Sequence, residues 1–91
     1  MKTKYRYEVW ALGFDKDNMC TDVEIFLESF SDVNEAIKFA DQFTTVNSVM
    51  EYSDYSDELL EGDYLEILVE TVKVGDKTNM NIDTKFSKLV Y

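Results

Sequence analysis

The sequence predicts an α+β fold: an antiparallel sheet of three to five strands with one main helix packed on one face, in the order β-β-α-β-β. Three observations carry this. Residues 5–14, 21–30, 64–74 and 80–86 are rich in β-branched and aromatic residues and alternate with a period of two. Turn chemistry stands between the members of each pair, at Asp15-Lys16-Asp17-Asn18 and at Gly75-Asp76-Lys77-Thr78, so each pair is expected to fold back as a hairpin. Between the pairs, only Ser31 to Phe43 has the apolar spacing of an amphipathic helix.

The first strand places Tyr5, Tyr7, Val9 and Ala11 on one side and Arg6, Glu8, Trp10 and Leu12 on the other. Aromatic groups on both sides suit a central strand covered on both faces, or one whose second face meets a partner. The second strand turns Val23, Ile25 and Leu27 to the core and Asp22, Glu24 and Glu28 outward beside Phe26. In the helix, Val33, Ala36, Ile37, Ala40 and Phe43 wind into one stripe with Phe39 at its edge. Asp32 is the expected N-cap, with Glu35 three residues on to reach back. The branched residues Thr44, Thr45 and Val46 are expected to end it.

Residues 46–52 read either as a short strand or as an irregular return. Glu51 to Asp63 holds six carboxylates and no base, and Ser53 or Asp54 is placed to cap a short helix near 54–61 that Gly62 stops. The third strand sets Leu65, Ile67 and Val69 against Tyr64, Glu66, Leu68, Glu70 and Val72. Apolar groups again fall on both sides. In the fourth, Met80, Ile82, Thr84 and Phe86 alternate with polar residues, and the tail Leu89-Val90-Tyr91 must pack back or dimerise.

Length and composition fit a single domain over residues 1–91, with the 45% apolar content of an ordinary globular protein. There is no apolar run long enough to span a bilayer, and Met1 to Arg6 leads into no signal-peptide core, so a cytoplasmic location without membrane contact is expected. Cys20 is the only cysteine, which excludes an internal disulfide framework and a cysteine-rich zinc site; a partly buried reduced thiol is expected there.

The net charge of −10 is unevenly placed. Residues 17–70 hold fifteen acids and one base, Lys38, whereas each end of the chain carries a small positive balance. Such a middle repels nucleic acid and anionic lipid and attracts a basic protein by long-range steering.

The chain has no histidine, which removes every mechanism that needs an imidazole base or ligand. Gly13, Gly62 and Gly75 stand alone and form no phosphate-gripping loop. Asp15, Asp17 and Met19 begin like a calcium loop, but Cys20 replaces the required glycine and Phe26 the bidentate glutamate. The acids of 51–63 have no spacing that selects a divalent ion. No catalytic, cofactor or metal residue is therefore assigned, and a non-enzymatic protein is expected.

Two features point to binding. Asp22, Glu24 and Glu28 share one parity, at multiples of the two-residue step of about 6.8 Å along one strand, with Glu66 and Glu70 on another. Were these strands neighbours, they would present a grid of carboxylates with Phe26, Tyr64 and Leu68 between them. Lysine and arginine that bind phosphates accept such carboxylates as well. The second feature is the apolar load on both sides of the sheet, including Tyr7 and Trp10, which one helix cannot cover. The expected partner is a basic protein, with a second copy of the chain, closed through the aromatic face, as the alternative.

The segment Phe30-Ser31-Asp32 leading to Glu35-Ala36 resembles in general style small proteins of Gram-positive phages and mobile elements. It covers under half of the chain and is not specific to one family. By analogy with anti-CRISPR proteins, the resemblance implies an acidic inhibitor of a nucleic-acid-binding defence protein.

Overall fold

The structure, a computed structural model, describes residues 4–54, 62–74 and 79–91, and of residues 79–82 the backbone alone. It is an α+β fold with strands β1 (Lys4–Phe14), β2 (Cys20–Phe30), β3 (Tyr64–Val74) and β4 (Asn79–Val90) and helices α1 (Val33–Asp41) and α2 (Val46–Ser53). The four strands form one sheet in the order β2-β1-β3-β4, and every neighbouring pair is antiparallel. The strands with apolar groups on both sides, β1 and β3, are the two central ones. Both ends of the chain thus form hairpins, and the longest connection carries the helices.

Alternation assigns the core as expected. Val9, Ala11, Ile25, Leu27, Leu65, Ile67 and Val69 form one buried cluster with Ala36, Ala40, Phe43, Val49 and Val90. Asp32 caps α1 by accepting a hydrogen bond from the Glu35 amide at 3.0 Å.

The second helix is a departure from the expected strand or irregular return. Val46 and Val49 argue locally for a strand, yet Thr45 and Ser48 close a capping box, with side-chain to amide bonds of 3.1 and 3.2 Å. Val49 is then fully buried, and the burial of that one face outweighs β propensity. Asp54 adopts a left-handed conformation, φ 54°, as the C-cap of this helix. The helix expected near 54–61 otherwise lies outside the described residues.

The apolar tail packs back as strand. Val90 is buried beside Leu65, and the Tyr91 carbonyl accepts a hydrogen bond from the Val46 amide at 3.0 Å. The Asp15–Asn18 segment is a turn: the Asp15 carboxylate accepts from the amides of Asp17 and Met19, and Asn18 has φ 64°. Cys20, expected to be partly buried, is exposed, because it begins β2 directly after the turn, at the tip of this hairpin.

A candidate protein-binding face

Both helices lie on the side of the buried cluster, and no described element covers the opposite side of the sheet. Register places the open side in rows. Glu24, Leu12, Glu66 and Leu89 stand opposite one another across β2, β1, β3 and β4. The next row is Phe26, Trp10, Leu68 and Ser87, and the one after it is Ser29, Glu8, Glu70 and Thr84. Arg6 and Val72 continue one end; Phe14 and Tyr64 close the other.

The expected carboxylate grid is thereby changed. β2 and β3 are not neighbours, because β1 lies between them. Asp22 and Glu24 are separated from Glu66 and Glu70 by two strand spacings, about 9.6 Å, and the gap is filled by Trp10 and Leu12. The face is two acidic flanks on an aromatic spine.

Glu28 leaves this face. A bulge opposite Val9 and Trp10 shifts the register so that Glu28 pairs with Val9, a core-side residue. Its carboxylate then stands 3.5 Å from the Tyr52 hydroxyl of α2. Tyr7 also belongs to the covered side, where it packs on the core cluster. Of the nine residues singled out for partner contact, seven share the open face: Asp22, Glu24, Phe26, Trp10, Tyr64, Glu66 and Glu70.

The spine is ordered by ring contacts. Trp10 and Phe26 meet edge to face at 5.4 Å, Phe14 stacks on Tyr64 at 5.5 Å, and Tyr64 meets Tyr91 at 5.3 Å. The Tyr64 hydroxyl donates to Asn18 Oδ1 at 2.7 Å. Leu68 and Val72 are buried within the face, whereas Phe26 and Leu89 keep 49% and 47% of their surface exposed. The face residues that the sequence reading did not single out for partner contact are Arg6 and Glu8, while Leu12 and Leu89 were read only as apolar groups in need of cover. Their signal was available, since even-numbered parity along β1 already puts Arg6, Glu8 and Leu12 on the side of Trp10.

Glu8 and Glu70 stand directly opposite each other, an arrangement that like charges disfavour. Arg6 pairs with Glu8 at 3.0 Å, and the Trp10 indole N–H donates to the same carboxylate at 3.0 Å. The Tyr64 phenol is held above its ordinary 10.0, first by desolvation and then by the nearby Tyr91, Asp15, Glu66 and Cys20.

The sheet edges are less inviting. β2 carries Asp22, Glu24 and Glu28 and two register shifts, and β4 has two register shifts with Asp83, Lys85 and Lys88 along it. Charges and bulges of this kind oppose strand addition.

Among the described residues no cluster of metal-ligating side chains occurs, and no helix is long and apolar enough to cross a membrane. No family model, curated protein or solved structure matches this chain.

Proposed function

We propose that the chain is a non-enzymatic protein-binding module that acts in a cytoplasm and docks a basic protein through the open face of its sheet. The observation behind this is the set of apolar groups Phe26, Trp10, Leu12 and Leu89, which no described element covers, interspersed with Glu24, Glu66 and Glu70 on one side of the sheet. Apolar groups of this kind anchor an interface, and the flanking carboxylates steer and select a cationic partner. The sharp form is a nucleic-acid-mimicking inhibitor, of the kind phages and mobile elements direct at host defence proteins. In it, Asp22, Glu24, Glu66 and Glu70 occupy positions that phosphates would take in the partner's groove.

The test is capture from host lysate at low salt, with release along a salt gradient and identification of what leaves. A basic, nucleic-acid-handling protein is expected on the native chain and not on the Glu24→Lys/Glu66→Lys variant, whose thermal unfolding should match the native. Capture that ignores both salt and the double reversal would overturn the reading.

A second reading has one observation in its favour. Lys4 and Arg6 occupy one end of the open face and the acids the remainder, so two copies set antiparallel would match charge ends. Sedimentation at rising concentration separates this dimer, which Trp10→Ala should dissociate, from a module that binds other proteins.

A further inference from the structure

Between Trp10, Leu12, Glu24 and Glu70 the open face sinks into a depression of about 220 Å³. Building on the face as a docking surface for a basic protein, we propose that this depression is a socket for one arginine side chain of that partner.

The lining has the three parts such a side chain uses. Trp10 brings an indole to the lining, Leu12 an apolar side chain suited to a methylene stem, and Glu24 a carboxylate, with Glu70 as the fourth lining residue. The register explains this placement. Leu12 stands opposite Glu24 on β2, Glu70 belongs to the Glu8 row on β3, and Trp10 lies on β1 between those rows.

Trp10 is held in position before any partner arrives. Its N–H is tied to Glu8, whose side chain is only 14% exposed and is itself held by Arg6, while the Phe26 ring abuts the indole edge-on. A fixed indole loses little freedom when a cation stacks on it. The face also contains an internal instance of the same chemistry, since Arg6 already pairs with a carboxylate beside Trp10.

Arginine fits better than lysine. Its planar guanidinium stacks on an indole while its edge donates to a carboxylate, whereas an ammonium is a compact and strongly hydrated charge. A metal ion is disfavoured by the apolar half of the lining, Trp10 and Leu12.

Trp10 is the only tryptophan of the chain, so its emission reports on the socket directly. The experiment titrates the full chain at low salt with tri-arginine amide and with tri-lysine amide, which carry the same charge. Tri-arginine is expected to change Trp10 emission saturably and to bind about fivefold more tightly than tri-lysine. Glu24→Gln should weaken tri-arginine by about fivefold, whereas Glu51→Gln, on α2 and away from the face, should not.

Equal affinity for the two peptides, with Glu24→Gln no worse than Glu51→Gln, would overturn the socket and leave only diffuse charge attraction. Emission that instead follows the chain's own concentration, and ceases to do so in Arg6→Ala, would give the place to a second copy and also overturn it. Loss of the socket leaves the docking face standing if lysate capture still depends on Glu24 and Glu66 reversal. If that dependence is absent as well, both readings fall together.

Discussion

On the covered side of the sheet Val9, Ala11, Leu65, Ile67 and Val69 have no exposed surface, while on the open side Phe26 and Leu89 keep about half of theirs in water. The same strands supply both sides, so strand propensity cannot be the source of the contrast. What differs is what lies above. Two capped helices exclude water from one side, and on the other, where no described element lies, Leu68 and Val72 of the central strand β3 are buried. Burial under an element produces stability, and burial by neighbours alone leaves a surface that a partner can still gain by covering.

Truncation should expose that contrast most strongly. Ile67→Ala is expected to cost about 3 kcal/mol in urea unfolding, because a fully buried side chain leaves a cavity. Phe26→Ala, half exposed, should cost about 1 kcal/mol. Equal losses would mean that the open side is already a closed core in solution, and the two faces would no longer be distinct in kind.

A smaller effect is expected at Gly13, where β1 crosses close to β2 on the covered side. A Cβ there would stand 2.7 Å from the Val23 Cβ and also press on the Thr21 hydroxyl. Gly13→Ala should therefore destabilise the fold by about 2 kcal/mol, as overpacking does. Val23→Ala in the same chain should recover part of that loss, which a purely conformational penalty would not allow.

The mildest test is a tyrosine titration that samples one phenol on each side. Tyr52, held up by desolvation and then by Glu28, and Tyr64, held up mainly by desolvation, should both ionise above the ordinary 10.0. Because the raised values belong to the folded state, the stability they contribute is complete below about pH 10 and is lost as pH rises through the folded values. Tyr52→Phe and Tyr64→Phe should each remove one late step from the ultraviolet titration. Saturation with the proposed basic partner should displace the Tyr64 step and leave that of Tyr52 in place. Displacement of Tyr52 instead would move the docking surface to the helix side.

Much of this architecture was legible in local pattern. Asp32 followed by Glu35 marked the start of α1, alternation sorted Val23, Ile25 and Leu27 from Asp22 and Glu24, and the turn residues Asp15 to Asn18 located the first hairpin. The α2 helix was not legible, because Val46 and Val49 favour a strand and only docking on the sheet reverses that preference. Glu28 was misplaced for a similar reason. A period of two holds until one inserted residue breaks it, and nothing in the residues around Leu27 announces the bulge.

The sequence by itself determined the fold class, the two hairpins, the capped main helix and the acidic middle of the chain, since each depends on neighbours within a few residues. Tertiary structure alone decided that β1 lies between β2 and β3, that both helices share one side, and that Trp10 stands between Glu24 and Glu70. Those are outcomes of strand order and register. They depend on which distant apolar surfaces bury one another, and periodicity along a single strand does not encode that choice.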